Sequence, residues 1–351
     1  MSKTTTALVI TTMVLAVVSG CDSFMTGKPN AKSAKIGAFE MNKLLGKGVN
    51  MGNALEAPTE GAWGVTLQEE YFQIIKDAGF NSIRLPVRWS AHALAEPPYT
   101  IDPNFMKRVD WAVNCALSRK MPVMLNVHNY PELINDPVNH RERFLAIWQQ
   151  ISEHYKDYPQ TLLFEPINEP SGKLRGGDLN ALLKQTIAVI RQSNPDRIIA
   201  AGSAWNVIGT LNSLKLPADD RNIIVSIHYY DPLEFTHQGA PFITDRDANA
   251  WMGTKWPRND KDEERVIKDF NTAATWGKKN NRPINLGEFG TYKKADMESR
   301  INWTKFVADT AARQGMSLMY WEFCAQEFGL YDQQTKSWRK PLLEAIIPPK
   351  Q

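Results

Sequence analysis

The chain has 351 residues, 43% of them hydrophobic and 23% charged, with a formal net charge of +3. That is the composition of an ordinary globular protein, long enough to bury a sizeable core in one large domain or two small ones. The near balance of charge, with no basic run, offers a nucleic acid little to hold, and no nucleic-acid partner is expected.

At the N-terminus, Lys3 precedes an apolar run from Ala7 to Val18. The run is short of the ~20 apolar residues that cross a bilayer and fits a signal peptide over residues 1–20. The tail Val18-Ser19-Gly20-Cys21 is similar to a bacterial lipoprotein signal, in which Cys21 becomes the lipid-bearing first residue. A plain signal peptide followed by a chance cysteine is the simpler alternative. Residues 21–38 are small and polar and read as a tether. On the lipoprotein reading the membrane is reached only through the N-terminal lipid. The protein is then expected at the bacterial cell envelope, lipid-anchored or released to the periplasm or exterior. Cys115, in an amphipathic pattern, and Cys324, after an apolar run, are too few for a disulfide framework and are expected to be free thiols.

From about residue 39 short Val- and Ile-rich runs alternate with longer amphipathic segments. The runs are Lys47–Met51, Ser82–Pro86, Pro122–Val127, Leu162–Ile167, Arg197–Gly202, Asn222–Ile227, Pro283–Gly287 and Ser317–Trp321. Helices are predicted over Gln68–Ala78, Asn104–Arg119, Arg141–Tyr155, Leu179–Gln192, Asp262–Lys279 and Ser299–Arg313. Strands alternating with helices imply a parallel sheet, and runs apolar throughout imply strands covered on both faces. Eight such units in one domain, residues 39–348, match an α/β fold of the (β/α)8 TIM-barrel type. No glycine-rich phosphate fingerprint follows the first strand, which weighs against a doubly wound nucleotide-binding sheet. One connection, after the sixth strand, is long and carries Phe235, Phe242, Trp251 and Trp256. It is read either as a functional loop or as a self-packed one.

Chemistry in such a barrel sits at the C-terminal strand ends. In chain order these ends offer Asn53 and Glu56, then Arg84, His128 with Asn129, Asn168 with Glu169, Trp205, His228 with Tyr230, Glu288, and Trp321 with Glu322. The fourth and seventh strands lie nearly opposite, so Glu169 and Glu288 face one another across the mouth. Two carboxyls across a cleft are what glycosidic-bond hydrolysis uses, one protonated and one ionised. Arg84 beside Glu288 is expected to lower its pKa, with Tyr230 donating to the same carboxylate. Asn168 is placed to meet a sugar 2-hydroxyl, His128 and His228 to complete the polar network, and Trp321 to floor the site. Glu165, two alternations below Glu169, points into the barrel beneath the site. Trp63, Trp205 and Trp256 on rim loops are candidate sugar platforms.

With these residues in place the chain resembles glycoside hydrolase family 5. The resemblance runs from about Phe39 to Ile347 and rests on Arg84, His128, Asn168, Glu169, His228, Tyr230, Glu288 and Trp321, in the settings "SIRLP", "NEP", "IHYYDP" and "GEFG". Within the family it is most similar to bacterial endo-β-1,4-glucanases, some of which also cut mannan or glucomannan. The resemblance implies a retaining double displacement with Glu169 as acid/base and Glu288 as nucleophile, and sugar contacts from Asn53, Glu56, Trp256 and Glu322. It implies no cofactor and no metal, a β-1,4-linked polysaccharide or oligosaccharide as partner, and a monomer. One departure stands out. Those relatives often carry a His-His pair after the third strand, and in this chain Asn129 follows His128, which bears on substrate preference.

Other readings are a β-mannanase or xyloglucan-cutting glucanase, a metal-dependent barrel hydrolase, and a lipid-anchored glycan-binding protein. The metal reading lacks a His-x-His after the first strand and any His-Glu-x-x-His. The binding-protein reading sits poorly with both carboxylates being present.

Overall fold

The computed structural model describes residues 35–349. The expected signal peptide, the expected lipidation site Cys21 and the expected tether up to residue 34 lie outside the described residues. Eight parallel strands close into a barrel in sequence order: β1 (Lys47–Asn50), β2 (Ser82–Leu85), β3 (Val123–Asn126), β4 (Leu162–Glu165), β5 (Ile199–Ala201), β6 (Ile223–Tyr229), β7 (Ile284–Phe289) and β8 (Ser317–Tyr320). The last strand returns to the first through Gly48↔Met319 and its neighbours. Six of the expected runs contain their strand, while β6 and β7 each run two residues further toward the site. The barrel fold inferred from alternation is the fold observed.

The six predicted helices are all present, with ends within three residues of expectation: α2 (Glu69–Asp77), α3 (Pro103–Ser118), α5 (Arg141–His154), α6 (Gly176–Ser193), α8 (Asp260–Asn280) and α9 (Met297–Arg313). Not foreseen were α1 (Ala38–Leu45) and the short α4 (Pro131–Asn135) and α7 (Leu233–Thr236). The segment "KPLLEAII" forms the closing α10 (Lys340–Ile346). Between β5 and β6 two 3-10 turns, Ala204–Asn206 and Ile208–Ser213, stand where an α-helix would complete the alternation. The connection is short and carries Ser203, Asn206 and Asn212, which compete for backbone hydrogen bonds and favour turns.

The strands are apolar throughout because each serves two cores. Outward residues such as Val49, Ile83, Leu125, Phe164, Val225, Leu286 and Leu318 pack under the helices. Inward Met124, Leu163, Ile198, Ala200, Ile224 and Met319 form a separate floor with Ala38, Met41 and Leu45 of α1. Met41 and Leu45 are fully buried, each worth about 1.5–3 kcal/mol of transfer free energy, so α1 is a plug for the N-terminal end of the barrel. Ahead of it Lys35 pairs with Asp196 at 2.9 Å and the Ile36 amide donates to the Gln160 side chain at 2.7 Å. Residues 35–38, read as the end of the tether, therefore lie on the barrel. Cys324 is a buried free thiol, as expected, and Cys115 is fully buried in α3. Among the described residues no helix is long and apolar enough to cross a membrane.

Above the apolar floor the barrel interior turns polar. Asn50, Arg84, Asn126, Glu165, Ser226 and Asn285 are all fully buried and form the layer on which the mouth rests.

Candidate active site

Arg84 is the hub of that layer. On β2 the side chains alternate, so Ile83 and Leu85 face the helices and Arg84 faces the barrel axis. Its Nε donates to Glu165 at 2.6 Å and its Nη2 to the Asn168 carbonyl oxygen at 2.6 Å. Its Nη1 donates to Asn50 at 2.9 Å and to Glu288 at 2.6 Å. A fully buried guanidinium is tolerated because every edge of its fork is engaged by an acceptor, two of them carboxylates. Glu165 therefore lies beneath the mouth as its periodicity indicated, its second partner being the Asn126 amide at 3.2 Å.

Glu288 reaches the axis through a local irregularity. The pairing of β6 with β7 steps from Ile227↔Leu286 to His228↔Glu288, and the pairing with β8 shifts in the same place. One extra residue in β7, at Gly287, turns Glu288 inward where strict alternation would turn it out. The glycine is needed there: a Cβ on Gly287 would stand 2.6 Å from Ser226 Oγ and 3.2 Å from His228 Nε2. Besides Arg84, Glu288 accepts from the Tyr230 hydroxyl at 2.9 Å. Burial pushes the Glu288 carboxyl up, against the downward pull of His228, Arg84 and the Tyr230 hydrogen bond. The expectation of a lowered pKa is thus corrected in sign: Arg84 pulls as foreseen, and desolvation outweighs it.

Glu169 stands at the end of β4 in a left-handed backbone conformation, φ 40°, at a cost of order 1–3 kcal/mol. The sharp turn brings its carboxyl back over the mouth, where it bonds His228 Nδ1 at 2.7 Å. The Asn206 amide donates to His228 Nε2 at 3.3 Å, which leaves the ring proton on Nδ1, pointing at Glu169. Burial, reinforced by Arg84 and opposed by Glu288 and Glu165, lowers His228 to about 4, so the ring is neutral. Burial raises Glu169 to about 7, with Arg84 opposing and Glu165 adding to the rise. One oxygen of Glu169, one of Glu288 and His228 Nδ1 all lie within 4.8 Å of one another. Such a triad is compact enough for a metal ion, but its geometry is already used otherwise: a guanidinium neutralises Glu288 and the imidazole N–H occupies Glu169.

His128 stacks on Trp321 with ring centroids 5.6 Å apart and planes 9° from parallel. The amides of Asn126 and Asn168 flank its two nitrogens at 3.1 and 3.2 Å, and burial, with Arg84 and His228, holds the ring neutral. Asn53 and Asn129 sit at the rim in left-handed conformations, φ 62° and 50°, which asparagine adopts more readily than most residues. Asn129 Nδ2 lies 3.4 Å from the Glu56 carbonyl. Glu56 and Glu322 are both buried. Glu56 accepts from the Asn53 and Ala54 backbone amides, and Glu322 from those of Cys324 and Ala325. They tie the loops after β1 and β8, and burial lifts them to about 7 and about 8.

Of the tryptophans, Trp205 is 56% exposed and Trp63 43%. The Trp205 amide donates to the Pro170 carbonyl at 2.8 Å, which sets the ring beside the Glu169 turn. Trp256 departs from expectation. It is 3% exposed and packs against Phe306, so the apolar core claims it. The long loop after β6 is closed on itself by Gln238, which donates to the Thr254 carbonyl and accepts from the Gly253 amide. Phe235 is buried, and Phe242 is left 46% exposed beside Tyr292 and His237. Sequence reading missed Asn206, Asn126 and Asn50 as partners of the reacting groups. Asn50 and Asn126 carried a signal, a lone amide inside an apolar strand. Asn206 carried none.

A family model for cellulase, glycosyl hydrolase family 5, matches residues 45–327. Endoglucanase H of Acetivibrio thermocellus is 35% identical over 331 residues, covering 92% of this chain and 35% of that protein, so the chain spans about a third of its length. Thermotoga maritima Cel5A, solved with mannotriose and with cellobiose, superposes with a TM-score of 0.86 at 51% identity, over 88% of this chain and all of the other. A cellulose synthase subunit Z from Clostridioides difficile superposes at 0.83 with 38% identity, over 86% of this chain and 99% of the other. With a barrel of the same form and opposed glutamates at its mouth, this chain belongs to glycosyl hydrolase family 5.

Proposed function

We propose that the protein is a retaining endo-β-1,4-glucanase acting on cellulose-type, mixed-linkage and glucomannan chains. The observation that carries this is the asymmetric pair at the mouth. Carboxyl oxygens within 4.8 Å suit direct attack by one carboxylate, which goes with separations of about 5–5.5 Å, and leave no room for the intervening water of inverting enzymes, which need about 6.5 Å or more. Glu288, held by a cation and a phenol, attacks the anomeric carbon. Glu169, protonated up to about neutral pH, gives its proton to the departing glycosidic oxygen. A glycosyl ester on Glu288 results. Glu169, now ionised, takes a proton from water, which attacks the same carbon and releases the sugar and the Glu288 carboxylate. The Asn168 side chain is held by Arg84 at its oxygen and by His128 at its nitrogen, which leaves one N–H for a sugar hydroxyl, and Trp321 with His128 supplies an aromatic wall for the ring.

A second reading, mannan cleavage, is supported by the mannotriose complex of Cel5A and by Asn129 standing where an imidazole is usual. The test is parallel assay of the protein on carboxymethylcellulose, mixed-linkage β-glucan, konjac glucomannan and galactomannan, with Glu169→Gln as control. Best cleavage of the glucans with a dead variant is expected. Best cleavage of galactomannan would move the assignment to mannanase, and cleavage undiminished in the variant would overturn Glu169 as the acid. The N-terminal reading extends the proposal to a lipid-anchored enzyme of the cell envelope, attached through Cys21. Metabolic labelling with a palmitate analogue, lost in Cys21→Ser, is the expected result, and no label on the wild type refutes it.

A further inference from the structure

Arg84 is shared. One end of its guanidinium holds Glu288 at 2.6 Å and the other holds Glu165 at 2.6 Å; Arg84 and Glu165 are fully buried, while Glu288 reaches the mouth. Glu165 touches neither catalytic oxygen. Its Oε2 takes Arg84 Nε and the Asn126 amide, while its Oε1 is buried with no hydrogen-bond partner. A buried acceptor left bare is costly, and an amide at this position would fill the same space without bringing a negative charge into the barrel. The charge itself therefore needs a use.

Its surroundings give one. Glu169 is faced by His228 on β6, Arg84 on β2 and Glu165 on its own strand, with Glu288 opposite. Glu288 is faced by Arg84, by His228 and Tyr230 from the β6 side, by Glu169 and by Glu56 from the loop after β1. The one permanent cation among these is Arg84. Unopposed, it would draw both reacting carboxyls toward ionisation, stripping the acid of its proton and making the nucleophile less basic. We infer that Glu165 is a positioning residue for the reaction, one that halves the guanidinium's claim on Glu288 and offsets its charge at Glu169. This rests on the assignment of Glu169 as acid and Glu288 as nucleophile. The upward influence of Glu165 on Glu169 has the sign the inference requires.

Glu165→Gln isolates the charge. The amide oxygen still accepts from Arg84 Nε, and Arg84 keeps its pair with Glu288, so the fold has no charge stranded in it. The measurement is kcat and kcat/KM against pH on soluble mixed-linkage β-glucan, for the full chain. Both limbs of the bell are expected to move acidward by about one pH unit, with kcat at pH 7 down about tenfold and KM within about twofold. Glu165→Asp retains the charge but withdraws it from Arg84, and its limbs are expected to move the same way by less. Limbs that stay in place in folded Glu165→Gln, or that move equally in both variants, overturn the inference by reducing Glu165 to a packing role. If only Glu165→Asp folds, unmoved limbs in it do the same. A wild type without glycosidase activity would instead remove the functional reading on which the inference stands.

Discussion

Replacing Tyr230 with phenylalanine removes one hydrogen bond and little else. The ring packs edge-on to His237 at 5.0 Å and against Phe328 at 6.3 Å, contacts that phenylalanine keeps. The lost bond runs from the hydroxyl to Glu288 at 2.9 Å. Burial holds the phenol well above its usual pKa, so it stays a donor through the working range. A hydrogen bond to a charged acceptor contributes about 1.5–3 kcal/mol, and about 1.4 kcal/mol is one pH unit. Its loss should therefore raise Glu288 by about one to two pH units and move the acid limb of kcat/KM alkaline, opposite to the Glu165→Gln shift. The same donor stabilises the Glu288 carboxylate as it leaves the glycosyl ester, so the second step should slow by about tenfold or more. With an activated aryl β-cellobioside in stopped flow, the variant should show a burst of phenol followed by a slow steady state. An unmoved acid limb with unchanged kcat would refute the argument that Tyr230 acts through Glu288.

Three further outcomes are expected. Glu288→Ala should lose turnover with its circular dichroism intact, and added azide should restore some activity with an inverted glycosyl azide as product. Activity retained without azide would take Glu288 out of the mechanism. Exhaustive chelation should leave kcat unchanged, since charge neutralisation falls to Arg84; activity lost and then restored by one added metal would revive the metal-dependent reading. Glu56, Glu169 and Glu322 have folded pKa values raised to about 7, 7 and 8. Their neutral forms favour the fold fully below the ordinary carboxyl range, and that contribution is lost as pH rises through 7 to 8. Scanning calorimetry should show Tm falling from about pH 5 to about pH 8, and Glu322→Gln should flatten the fall; an equal slope in the variant would contradict it.

The barrel was legible because its strands are buried on both faces and its helices on one, so two different periods alternate along the chain. Most of the mouth was legible for a related reason: a polar side chain at the end of an apolar strand has to be there for the opening. Three things were hidden. The bulge at Gly287 changes no apolar pattern that a period of two would register, yet it decides which way Glu288 points. α1 has Ala38, Met41 and Leu45 at helical spacing, but a short plug next to a polar stretch looks like the end of that stretch. Trp256 carries the same letter whether it platforms a sugar or fills a core, and only the fold of the loop after β6 sends it inward.

The division of labour between the two glutamates follows from how many donors each has, not from how deeply each is buried. Burial raises both. Glu288 then gains a guanidinium and a phenol, while Glu169 gains only an imidazole N–H. That single partner has to be neutral for the scheme to work. An imidazolium at 2.7 Å would draw the proton off Glu169 and erase the difference. Burial prevents this by holding His228 near 4, and the Asn206 amide on Nε2 fixes which nitrogen keeps the remaining proton. Above the raised pKa of Glu288 and below the value of about 7 at Glu169, the two carboxyls titrate as a coupled unit with one proton, carried by Glu169 while Glu288 is ionised. The alkaline limb of activity belongs to the acid and the acid limb to the nucleophile. Asn206, which touches neither carboxyl, is then as much a condition of the mechanism as the carboxyls themselves.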